Sequence, residues 1–210
     1  MNGKSFPISI GTVVCFISST FAIPATQWLA TKLIANPGFR GIVSSVSIIL
    51  TIGLLSGKQK IIRFQPLSSR WKIFYCIALT VVLGLLVFDI QNQPVAKITG
   101  HPRTPLEVFD LIILLPMAEE LVFRGVIWSK FEKINPARFA ALAGSSLLFG
   151  IEHLGYWGQF DWPLPLDAYL HAFSMIFAGL FFGYFRLKSD SLTIPTVLHM
   201  LANGAILLTQ

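Results

Sequence analysis

Uncharged, strongly apolar runs recur along this whole chain, each long enough to cross a bilayer as a helix. Inside lipid a backbone satisfies its hydrogen bonds only within helices or within a closed barrel. The runs show none of the apolar–polar alternation that a barrel strand needs. An all-α, polytopic transmembrane helix bundle is therefore expected. Charged residues make up 12% of the 210 residues, about half the share usual in a soluble domain. Seven spans are placed, at 7–31, 41–57, 73–90, 106–128, 138–155, 168–186 and 191–209. They form a single membrane domain, 1–210.

The basic residues orient the bundle. With the N-terminus inside, the inner segments hold Lys4; Lys58, Lys60, Arg63, Arg70 and Lys72; Lys130, Lys133 and Arg138; and Arg186 and Lys188. The outer loops hold only Lys32, Arg40, Lys97 and Arg103, so the C-terminus is expected outside. Trp28, Trp71, Trp128, Trp157 and Trp162 all fall near span ends, where an aromatic belt belongs. The net charge of +6 is spread over short loops rather than gathered on one face, which argues against a nucleic-acid partner. Cys15 and Cys76 lie within apolar runs and read as small core residues. Ala22 to Ala25 resembles a signal-peptide cleavage site, but the uncharged stretch from Ser5 to Thr31 exceeds an ordinary h-region, so a signal anchor is expected.

Ionisable residues inside a bilayer are costly and point to function. The fourth span holds Pro116, Glu119, Glu120 and Arg124 in an otherwise apolar stretch. Glu120 and Arg124, four apart, share a face and can pair. Glu119 is turned about 100° from Glu120, towards a cavity. Pro116 suits the first turn of a new helical segment, whose positive end would favour both carboxylates. The fifth span ends in Phe149, Glu152 and His153, and the seventh holds His199 and Asn203 on one face. Singly, each has an ordinary reading: a structural ion pair, an interfacial histidine, a histidine bonded to backbone, an asparagine as interhelical glue. Convergence on one shared cavity satisfies them all together. Phe149 is a wall residue on either reading. Glu152 points elsewhere than His153, with a supporting role open. His171 has no polar companion at helical spacing and reads as structural.

At these residues the chain resembles the CPBP family, the CAAX proteases and bacteriocin-processing enzymes also called the ABI family. The family pattern of Glu-Glu-x-x-x-Arg, Phe-x-x-x-His and His-x-x-x-Asn is matched in order by Glu119, Glu120 and Arg124, by Phe149 and His153, and by His199 and Asn203. The match covers roughly residues 105–209, a catalytic core; residues 1–100 match only as variable membrane helices. The resemblance implies hydrolysis by a glutamate-activated water, with Glu119 as general base and His153 holding and activating the water. It further implies oxyanion stabilisation by His199 and Asn203, and Glu120 with Arg124 orienting the set. The substrate implied is a membrane-associated protein or peptide.

The chemistry agrees, since peptide hydrolysis needs a basic group on water and donors aimed at the developing oxyanion. No serine, cysteine or threonine of the motifs stands beside a base. No cofactor is expected, although two glutamates and two histidines leave zinc or another divalent metal open, with Glu119, His153 and His199 as its ligands. The soluble zinc-protease signature His-Glu-x-x-His is absent. A non-cleaving immunity or binding protein and a small proton-coupled transporter are the rival functions. The short chain and sparse polar sequence suggest a prokaryotic inner-membrane protein. One strain stands out: His153 lies about 22 Å up its span, out of level with Glu119 and His199 unless that span starts deeper or tilts.

Overall fold

A computed structural model describes residues 25–26, 29–30, 34, 37–56, 104–135, 137–155 and 163–207, and all of its regular structure is helical. Helix α1 runs Pro37–Ser56. A continuous helical path then runs from Pro105 to Ile134. It comprises α2 (Pro105–Phe109), a π-bonded stretch Asp110–Leu114, α3 (Leu115–Glu120), a second π stretch Leu121–Ile127, and α4 (Trp128–Ile134). Helices α5 (Arg138–Gly155), α6 (Leu166–Ser189) and α7 (Thr193–Leu207) follow.

The long path is the spine. Helices α1 and α7 pack on its first half, α5 packs on its second half, and α5 and α6 lie against each other along much of their length. Residue polarity is inverted relative to a soluble bundle. Glu119, Glu120, Arg124, Glu152 and His199 are buried, while Phe139, Leu166, Leu170, Phe173 and Phe177 stand more than half exposed. Lipid tails cover such a surface at no cost, whereas polar groups must find partners inside. Among the described residues, α6 alone is long and apolar enough to cross a membrane; Gly41–Ile52 and α7 are shorter apolar helices.

Five of the seven expected spans fall on described helices, that at 138–155 with the expected ends and the other four with shifted ones. The spans at 7–31 and 73–90 lie almost wholly and wholly outside the described residues. The largest shift is at the fourth span, which runs on past 128 to Ile134. Lys130, Glu132 and Lys133 end the apolar run there but not the helix, since charged residues are good helix formers in water. This extension removes the strain in level. Glu119 stands as far before Ile134 as His153 stands after Arg138, about 22 Å in each case, so the hairpin brings them to one height.

Two further expectations need correction. Trp128 is no belt residue: its ring is fully buried, with the Arg186 guanidinium 5.8 Å from its centroid. Pro116 does stand in the first turn of a new α segment, α3, as expected, but the helical path does not break before it to leave a free positive end. The Leu115 N–H reaches back to the Asp110 carbonyl, five residues away, and the helix continues. A widened turn accommodates a ring that would otherwise clash with the carbonyl four residues earlier.

Candidate active site

Glu120 sits at the centre. Arg124 Nη1 donates to its Oε1 at 3.0 Å, as the four-residue spacing dictates, with both side chains fully buried. The same Oε1 meets His199 Nδ1 at 3.0 Å, and His199 Nε2 lies 3.3 Å from Glu119 Oε2. An N–H on either ring nitrogen therefore finds a carboxylate acceptor. One imidazole from α7 ties together two adjacent glutamates of α3. Their side chains diverge by about 100°, and the ring is wide enough to span that gap.

Arg124 is fixed from a third direction. Its Nη2 donates to the Gly179 carbonyl of α6 at 2.9 Å. A Cβ on Gly179 would meet the Ser146 backbone of α5 at 3.0 Å, so glycine is what lets α6 approach closely enough. The guanidinium also lies 4.6 Å from the Phe149 ring centroid and 5.7 Å from that of Phe182. Phe182 stacks on His199 at 4.7 Å with an interplanar angle of 18°, and Phe149 meets His199 edge-on at 5.8 Å. These rings make a dry wall in which each ionic contact is strengthened.

His153 reaches the cluster through Phe149, whose ring lies 4.7 Å away. His153 Nδ1 is 2.8 Å from the Phe149 carbonyl. A carbonyl only accepts, so Nδ1 carries a proton and donates to it. Asn203, one turn beyond His199, donates from Nδ2 to the Leu111 carbonyl at 2.9 Å, pinning α7 to the first π stretch.

Glu119, Glu120, Arg124 and His199 thus form one directly bonded cluster, with His153 and Asn203 on its flanks. Sequence reasoning missed two neighbours, His171 and Arg186, and misjudged the direction of a third, Glu152. His171 does have a companion: its ring lies 5.6 Å from that of His153, a contact between helices that spacing along one helix cannot reveal. Glu152 does not point away: it stands three residues from Phe149, on the face that carries the site, with Oε2 at 3.9 Å from His153 Nδ1. Arg186, read as an inner-loop charge, is buried and donates from Nε to the Arg124 carbonyl at 3.3 Å. The Trp128 backbone N–H donates to the Phe123 and Gly125 carbonyls rather than to that of Arg124, which leaves the Arg124 carbonyl to Arg186.

Among the described residues no three His, Cys, Asp or Glu side chains are arranged to hold a metal ion. Both nitrogens of His199 face carboxylates, and Nδ1 of His153 faces a backbone carbonyl.

Residues 102–205 match the family model described as Type II CAAX prenyl endopeptidase Rce1-like. The chain is also similar to the membrane-embedded CAAX protease MroQ of Staphylococcus aureus (strain USA300), 28% identical over 160 residues. That alignment covers 73% of this chain and 60% of the relative, so the chain spans under two thirds of the relative's length. No solved structure matches.

Proposed function

We propose that this chain, which matches the Type II CAAX prenyl endopeptidase Rce1-like model over residues 102–205, is a CPBP-family intramembrane endopeptidase cutting a membrane-associated protein or peptide with a glutamate-activated water. The observation that carries this reading is the Glu119–His199–Glu120–Arg124 cluster, buried between helices whose outer faces are apolar. A structural ion pair needs one acid and one base. Here a second acid and an imidazole are added at further desolvation cost, which function explains and packing does not.

Glu119 takes a proton from water as the water oxygen bonds to the scissile carbonyl carbon. His153, on the flank of the cluster, helps hold that water. His199 and Asn203 supply donors to the oxyanion, exchanging their present acceptors for it when substrate enters, as catalytic hydrogen bonds commonly do. The proton on Glu119 then passes to the amide nitrogen, the C–N bond breaks, and carboxyl and amine products leave. Glu120 and Arg124 hold His199 and the helix in place. No step requires a metal. The protein is proposed to be multi-pass in a prokaryotic cell membrane, with the catalytic core at 105–209.

The test is to replace Glu119 by Ala and compare membrane proteomes. An uncut precursor that accumulates only with the variant, at normal levels of the variant itself, is the expected result. Unchanged processing refutes the enzyme, and protection from a peptide toxin that survives both Glu119→Ala and His199→Ala favours a non-cleaving binding protein instead.

A further inference from the structure

Glu152 is fully buried, and no hydrogen-bond donor of the described residues reaches either of its carboxyl oxygens. A buried acidic group in that condition costs several kcal/mol, so its position needs a reason. It is not isolated from the site. Its carboxyl lies within electrostatic reach of Glu119 and Arg124, and it shares a helical face with Phe149 and His153. Two more orphaned atoms belong to the same cluster, Glu120 Oε2 and Arg124 Nε. Buried acceptors and a donor that lack partners among neighbouring residues are groups that a small hydrogen-bonding molecule can satisfy.

We propose that Glu152 is a further residue of the catalytic centre, accepting a hydrogen bond from the attacking water so that Glu119 and Glu152 grip that water from two helices. This rests on the protease reading above. Water has two O–H groups. One points to Glu119 and loses its proton there as the new C–O bond forms. The other points to Glu152, stays bonded to oxygen throughout, and ends in the new carboxyl group. With both O–H groups pinned, a lone pair of the water is aimed at the substrate carbonyl, which is the geometric contribution a positioned nucleophile makes. Glu152 gains and loses no proton in this step.

A catalytic role and a packing role predict opposite effects on stability. The wild type, Glu119→Ala, Glu152→Gln and Glu152→Met are compared by thermal unfolding in detergent, without substrate. They are also compared by cleavage of a peptide spanning the site that stays uncut in Glu119→Ala membranes. Both Glu152 variants are expected to unfold no lower than wild type, because each removes an unpartnered buried acid. They are expected to cleave roughly 100-fold more slowly at unchanged KM. Wild-type cleavage by Glu152→Gln with Glu119→Ala inactive overturns the role of Glu152 and leaves the protease reading standing. Lowered unfolding temperatures for both variants also overturn it, in favour of a structural acid. No uncut precursor with Glu119→Ala refutes the protease reading itself.

Discussion

Glu120 and His199, 79 positions apart in the chain, meet at 3.0 Å in a buried contact shared with Arg124. Removing one member leaves the others as uncompensated buried polar groups. Arg124→Met is expected to destabilise the protein by about 3–5 kcal/mol, and Glu120→Gln by less because an amide still accepts. The double variant should cost less than the two single losses combined. A thermodynamic cycle over these three variants in detergent measures the coupling.

The close approach of α5 and α6 rests on glycines. A Cβ on Gly150 would come within 2.6 Å of the Ala172 carbonyl, and one on Gly179 within 3.0 Å of the Ser146 backbone. Gly179→Ala is expected to cost about 1–3 kcal/mol by overpacking. It should also lower processing, because the same displacement carries the Gly179 carbonyl away from Arg124. Melting curves and the fraction of uncut precursor, read together, check both effects.

At the far end of α6, Arg186 connects the Arg124 carbonyl to Asp190, which also pairs with Arg138 at 2.8 Å. Arg186 is buried, whereas the Asp190 side chain is 43% exposed. Arg186→Gln should therefore cost about 1–3 kcal/mol. Asp190→Asn should cost under about 1 kcal/mol, since asparagine also tolerates the left-handed backbone at φ 52°. Equal losses for the two variants would show that the surface pairs, not the carbonyl contact, anchor this end.

Metal removal gives a further check. Exhaustive chelation of the purified protein is expected to leave cleavage unchanged within about twofold, since no step proposed here uses Lewis-acid chemistry. Loss of activity on chelation with recovery on adding a divalent ion would contradict this.

What the sequence could disclose followed what is local. The Glu120–Arg124 pair is a matter of four-residue spacing, and the polar triplets declared themselves by lying in apolar runs. Helix ends were harder, because hydropathy reports where lipid stops, and α4 continues past that point as a charged helix. The π stretches were invisible: Pro116 announced an irregularity but not whether the helix would break or widen. Asp110, buried where Gly41 of α1 approaches it closely, passed unnoticed within the same span. Glu152 was misplaced because only its neighbour His153 was considered, when Phe149, three residues back, fixes the face. His171 and Arg186 act across helices, and only packing reveals such partners.

The most direct measurement uses purified protein in a defined bilayer with the peptide identified from uncut precursor. Glu119→Gln keeps the shape of the side chain and removes its basicity. The expected result is a folded protein with cleavage reduced by about 10²–10⁴-fold. Cleavage by Glu119→Gln at the wild-type rate would mean that some other group activates the water, and the Glu119–His199 contact would then be structure alone.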